Sequence, residues 1–418
     1  MAENGKIDEA EIQARIEHHT LDLLAKPRIS RARDEGAAAL LASVPDADEA
    51  SKALFPDVGT EVALNALVGF VDGYTGADQP RLIMRPPRLL DGQSVPGNRG
   101  LHDNPDTFYR MIPLDGRSDF ILEGRLGPNP ATIFEISLLT SAWNTTANLT
   151  KVDLELEPRK TFRLHVGPEP GPVADAYIRV PADAEMLLVR ETLADWSTEL
   201  PSRLTFENRI DRGGPRESDD EAYVDAAVRR VDKWFSESIR LTKAPLARPA
   251  NNFSSPVISN EHGKLVTMAY SIGHFRLSEE EALIFTLSPG SAEYVVAPIT
   301  NLWGTTGAGL ARGASWNSKQ AAMNADGSFT CVLSRRDPGV HNWLDPEDLE
   351  RGFVFLRWAG LDTERPPDPA PALEVQLTTL HDLRRLLPAE TRWVDTDERQ
   401  ALWEQRARDH AKRYSHLR

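Results

Sequence analysis

Three stretches of the chain gather side chains that can do chemistry. "HDNPDTFYR" at 102–110 crowds His102, Asp103, Asp106, Tyr109 and Arg110 around an Asn-Pro-Asp turn. Asn tolerates unusual φ, Pro fixes it, and the following carboxylate can cap backbone donors. On a strand beginning near Thr107, Thr107 and Tyr109 face one side while Phe108 and Arg110 face the other. In a catalytic reading Tyr109 donates a proton, Asp106 orients it, and Arg110 binds an anionic substrate group. The structural alternative is an Asx-turn beside a Tyr–Arg packing pair.

"SRRDPGVHNWLD" at 334–345 is the second stretch. Asp337-Pro338-Gly339 fits a type II turn, with Pro at its second position and Gly supplying positive φ at its third. Arg335 and Arg336 lie on opposite faces of a strand end, so at most one enters a given cavity. A guanidinium in a cavity suits bidentate binding of a carboxylate, sulfate or phosphate, and Arg336 is the candidate. His341 beside Asn342 can serve as general base, because imidazole titrates near neutrality. The third stretch, "TNLWGTTGAGLARGASWNSKQAAMN" at 300–324, is a glycine-rich loop after a strand. Asn301, Trp303, Trp316 and Asn317 would line or cover a site there, since binding residues concentrate on loops of rigid β-scaffolds. Packing of the two tryptophans is the alternative.

Other chemistries lack their spacing. The glycines at 304, 307, 309 and 313 form neither a dinucleotide fingerprint nor a P-loop, so no cofactor is expected. Histidines at 102, 165, 262, 274 and 341 are scattered without His-x-His or His-Glu-x-x-His spacing, so no metal is expected. No Gly-x-Ser-x-Gly elbow occurs, which excludes an α/β-hydrolase.

The 418 residues suffice for two domains. Hydrophobic content of 40% with 27% charged residues is that of a folded globular chain. A net charge of -15 argues against a nucleic-acid partner, which needs a basic face. The single cysteine, Cys331, rules out an intrachain disulfide framework and reads as a small buried hydrophobe in "SFTCVL". With no signal-like apolar core and no apolar run of about 18 residues, a cytoplasmic protein with no membrane partner is expected.

Those candidates have to be positioned by the elements around them. Residues 1–80 read as a helical lead-in, with Ile12, Ile16, Leu21 and Leu24 near a 3.6-residue period. Residues 81–215 change to short β-rich runs, among them "TFYRMIP", "ATIFEISLLT", "KVDLELE" and "EMLLVRET". Turn residues separate them at about ten-residue spacing, the pattern of an antiparallel sandwich or barrel. Residues 216–262 carry an amphipathic helix with a stripe of Val224, Ala227, Val228, Val231, Phe235 and Ile239, opened by a capping box of Ser218 and Glu221. Residues 263–380 form a second β set, with "NADGS" as a hairpin turn. Residues 381–418 are helical and read as a solvated surface able to dock a second copy of the chain. The predicted fold is therefore mainly β: two antiparallel β-sandwich or jelly-roll-like units with helical additions at both ends.

Several phrases also carry a family resemblance. "HDNPDTFYRMIPLDGRSDFILEGR", "LLVRETLADW", "AEYVVAPITNLWG", "NADGSFTCVLSRRDPGVHNWLD" and "RGFVFLRWAGL" resemble the bacterial family catalogued as domain of unknown function 1214 and its companion, domain of unknown function 1254. The likeness runs from about residue 100 to the C-terminal "ERQALWEQRARDHAKRY". It implies a β-rich sandwich or jelly roll and no settled activity. The function expected from the residues is a hydrolase or lyase acting on a small organic molecule. Tyr109, Asp106 and His341 would do its acid/base work. The alternative is a non-catalytic sandwich that holds a carbohydrate or lipophilic ligand.

Overall fold

Strand alternation sorts the side chains of both β-rich halves into a face that fills a sandwich and a face that looks outward. In residues 186–190, Leu187 and Val189 enter the first sandwich core, while Met186, Leu188 and Arg190 point away from it. In residues 354–358, Val354, Leu356 and Trp358 fill the second core, while Phe355 and Arg357 point away. The computed structural model describes residues 9–71, 80–90, 92–114, 116–171, 174–207, 220–307 and 312–415.

The first half contains β1 (Arg81–Ile83), β2 (Arg88–Leu90), β3 (Gln93–Val95), β4 (Thr107–Pro113), β5 (Phe120–Arg125) and β6 (Ile133–Thr140). It continues with β7 (Thr145–Thr150), β8 (Thr161–Gly167), β9 (Ala176–Arg179), β10 (Ala184–Thr192) and β11 (Arg203–Glu207). The second half contains β12 (Val257–Ile258), β13 (Met268–Arg276), β14 (Glu281–Ser288), β15 (Tyr294–Thr300) and β16 (Ser315–Asn317). Its remaining strands are β17 (Phe329–Ser334), β18 (Trp343–Leu344), β19 (Arg351–Ala359) and β20 (Ala372–Thr379).

Each half is a sandwich of one five-stranded and one four-stranded sheet. The orders are β1-β4-β10-β6-β7 over β11-β5-β8-β9, and β12-β13-β19-β15-β16 over β18-β17-β14-β20. Apart from the small β2-β3 hairpin, the second half repeats the first strand for strand in chain order. Even the parallel pair recurs, as β8 with β9 and as β17 with β18. The fold is thus mainly β with helical additions, as its turn spacing predicts, and it is internally duplicated over a period too long to read as a sequence repeat.

Helices α1 (Glu9–Leu24), α2 (Pro27–Ala42), α3 (Glu49–Ala53) and α4 (Phe55–Phe70) precede the strands, and α5 (Glu221–Leu246) joins the halves. α2 and α4 pack on α5, and their apolar faces share one core with Met111, Leu139 and Leu188 of the first half and Trp303 and Phe353 of the second. Gln13 of α1 bonds both the N–H and the carbonyl of Leu82, satisfying part of the edge of β1. The chain closes with α6 (Leu383–Leu386) and α7 (Thr396–Lys412).

Three expectations change. "KVDLELE" is a turn rather than a strand, because Asp153 accepts from the Thr150 amide at 2.7 Å and Glu155 takes φ 48°. Ser218 lies outside the described residues, and Asp220 caps α5 by accepting from Ala222. Helix α7 is docked within its own chain: it buries Arg399 and Arg406, and the Arg406 guanidinium lies over the rings of Trp316 and Trp196 at 4.3 and 4.7 Å. Arginine stems and planar heads cover aromatic surface, so a helix poor in apolar residues still packs.

Candidate functional site

The outward faces of the two five-stranded sheets line a cavity of about 300 Å³, with α5 along its mouth. Trp234, Leu241 and Ala244 of α5 recur at helical spacing on that side, and Ala244 is exposed at the opening. Most of the wall is apolar: Met111, Leu139, Leu188, Leu265, Met268 and Phe355 are representative. Pockets for small molecules have this character, an apolar lining with a few placed polar groups, at volumes of about 300–1,000 Å³.

The polar groups come from equivalent places in the duplicated halves. Tyr109 is directly opposite Arg190 across β4 and β10. Tyr270 is directly opposite Arg357 across β13 and β19. All four side chains line the cavity. The Tyr109 hydroxyl accepts from the Asn104 amide at 3.0 Å, and the Tyr270 hydroxyl accepts from the Leu265 amide at 2.9 Å. Each phenol therefore keeps its own proton to donate. Burial holds the Tyr270 phenol protonated far above the usual range.

Both arginines are buried, at 8% exposure each. Arg190 donates to Ser137 Oγ and to the Gly263 carbonyl, the latter at 2.9 Å. Gly263 presents that carbonyl from a turn at φ 74°. Arg357 donates to the carbonyls of Phe355, at 3.1 Å, and His102. His102 is held neutral in the wall, its pKa pushed down to about 3 by burial and by the Arg357 charge, with its Nδ1 3.1 Å from Thr300 Oγ1. Lys264 lies near the mouth, and burial lowers its pKa first of all. Arg240 and Glu237 pair there at 2.8 Å.

The residues singled out by sequence do not converge. Tyr109 lines the cavity, but Asp106 does not orient it. Asp106 is 0% exposed and accepts from Trp196 at 2.9 Å, from Tyr294 at 2.5 Å and from Asn317 at 2.7 Å, which ties the halves together. Asn317 also donates to the Ala194 carbonyl, so its side chain belongs to the same junction. Arg110, on the opposite face of β4 from Tyr109, is buried against Glu191 and Glu9 and donates to the Ser202 carbonyl.

His341 is elsewhere, beside a cavity of about 20 Å³, with its Nδ1 2.9 Å from Asn342 Oδ1 and its ring 4.9 Å from that of Trp316. Burial lowers its pKa before any other influence. Arg336 is 59% exposed and pairs with Glu280 at 2.5 Å, on the surface. Trp303 packs edge-on to Phe55 at 4.9 Å and donates to the Ser51 carbonyl. Trp316 donates to the Trp343 carbonyl at 2.7 Å. Asn301 accepts from the amides of Trp303 and Thr305 in a turn beside a separate cavity of about 370 Å³. Residues 308–311 of the glycine-rich stretch lie outside the described residues.

Arg190, Tyr270 and Arg357 are the residues that sequence reasoning passed over. The signal for the two arginines is a lone arginine inside an apolar strand, in "LLVRET" and again in "VFLRWA".

Among the described residues no helix is long and apolar enough to cross a membrane. No family model matches the chain, and no curated protein matches it. An uncharacterised protein from Burkholderia cenocepacia has a crystal structure that matches with a TM-score of 0.70 at 21% identity, covering 87% of this chain and 100% of that one. The VPA0106 protein from Vibrio parahaemolyticus gives a TM-score of 0.39 at 12% identity over 66% of this chain and 90% of its own. What this chain shares with the Burkholderia protein is the fold.

Proposed function

We propose that the protein binds a lipophilic small molecule in the cavity between its two sandwiches. The observation that carries this reading is the cavity itself: the apolar outward faces of two sheets pack together around Ile133, Tyr294 and Val296 but leave a space beside them, roofed by α5. Faces of this kind normally pair to exclude water, and burial is worth about 25 cal/mol per Å² of apolar surface. A ligand with apolar bulk recovers that stabilisation where the faces stand open.

A hydrolase or lyase acting in the same cavity is the second reading. It is favoured by the Tyr109 hydroxyl, whose proton is uncommitted, and it no longer includes Asp106 or His341. The proposal also keeps the chain as a relative of the domain of unknown function 1214 family. It also keeps the expectation of a cytoplasmic location.

The test is a fluorescence titration with the uncharged lipophile N-phenyl-1-naphthylamine. Saturable one-to-one binding is expected, with quenching of Trp143 and Trp234, which line the cavity. Ala244→Trp, a change at the exposed mouth, should weaken binding at least tenfold. Absence of saturable binding, or unchanged affinity in the folded variant, would refute the reading.

A further inference from the structure

The duplicated fold places the same donor pair twice around one cavity. Tyr109 and Tyr270 are each the third residue of equivalent strands, β4 and β13, and each faces an arginine across the next strand. Both arginines and both tyrosines line the same cavity, so one ligand in it can meet both donor pairs.

Among the described residues neither guanidinium forms a direct ion pair, and the acid that feels Arg190 across the sheet, Glu135, is bonded elsewhere. Among the described residues, no carboxylate oxygen lies within 4.0 Å of Arg190 or Arg357. Their partners are a hydroxyl and three backbone carbonyls, which satisfy N–H groups without neutralising charge. Taking a cation out of water without an anion beside it is costly, which is why buried charges are almost always paired. The acid in register with Arg190 is Glu135, which accepts instead from Thr267 Oγ1. Burial raises the Glu135 carboxyl toward its neutral form, against the opposing pull of its bond from Thr267 and of the Arg190 charge. At the equivalent place beside Arg357 the chain has Val296, so that guanidinium has no acid in register at all.

We propose that the ligand is a lipophilic carboxylic acid whose carboxylate is held between Arg190 and Arg357, with the Tyr109 and Tyr270 hydroxyls as further donors. This rests on the cavity reading above and names the head group that the cavity takes. Guanidinium forks match a carboxylate geometrically, and charge-assisted bonds are about twice as strong as neutral ones. The whole chain carries a net charge of -15, which opposes anion binding at long range, so the preference is set by these local cations.

The experiment compares dodecanoate, 1-dodecanol and methyl dodecanoate by calorimetric titration of the full chain at pH 8. Dodecanoate is expected to bind at least tenfold more tightly than either neutral analogue. Arg190→Met and Arg357→Met should each remove most of that advantage, and Arg→Lys at either place should restore part of it. The comparison of the three ligands on the unmodified protein stands even where a variant fails to fold. Equal affinity for the acid and its neutral analogues would overturn the head-group assignment and leave the cavity reading intact. Binding of none of the three would overturn both.

Discussion

His102 shows how the cavity wall constrains single residues. It takes φ 56°, and its ring meets Phe353 and Phe355 edge-on at 5.0 and 5.7 Å. Its pKa is about 3 in the folded chain against an ordinary value of 6.5. A depressed pKa means that the unfolded chain binds the proton more readily. Its contribution to stability is therefore complete above pH 6.5 and is lost as the pH falls toward 3. His19, His274, His341 and His410 are shifted in the same direction, each chiefly by burial. Urea unfolding should show stability declining between pH 6.5 and 4. His102→Gln should flatten that decline by up to about 1.4 kcal/mol per pH unit, the slope of one proton. A variant slope equal to that of the unmodified chain would contradict a neutral buried His102.

At this scale turn chemistry was the most legible feature. Asn104 Oδ1 accepts from the Asp106 amide as an Asx-turn requires, and Gly339 takes φ 74° behind Asp337 and Pro338. The partners of Asp106 were not legible, because Trp196, Tyr294 and Asn317 are brought to it only by the packing of one half on the other.

Among the elements, α7 departs furthest from its sequence reading. Its mixed charges suggested a solvated helix, yet Arg399 pairs with Asp337 at 2.9 Å and Arg406 donates to the Ser315 carbonyl at 2.8 Å. Hydropathy counts arginine as a surface residue, and only the aromatic rings contributed by distant parts of the chain turn it into a packing residue here. The start of α7 is fixed by a capping box between Asp395 and Glu398. Replacing that carboxylate by Asp395→Ala should cost about 1 kcal/mol in urea unfolding. A loss of zero would mean that docking alone sets the helix start. The strands were more legible, since alternation places Leu187 and Val189 inward and Arg190 outward without knowledge of the partner sheet. Alternation cannot say what an outward face meets, and that is why the cavity stayed hidden.

For the whole molecule, duplication brings two similar outward faces together and leaves a space between them. Composition and turn spacing were enough for two sandwiches with helical ends. The relation between the halves depends on residues as far apart as Asp106 and Tyr294, which no local pattern encodes. The two arginines were visible as charges inside apolar strands, but their shared destination was not. A crystal structure of the protein grown with N-phenyl-1-naphthylamine tests the central claim most directly. The expected result is one molecule between the β4–β10 and β13–β19 faces, beneath α5 and in contact with Leu188 and Phe355. A cavity closed by its own side chains, with the probe bound elsewhere or not at all, would contradict the account.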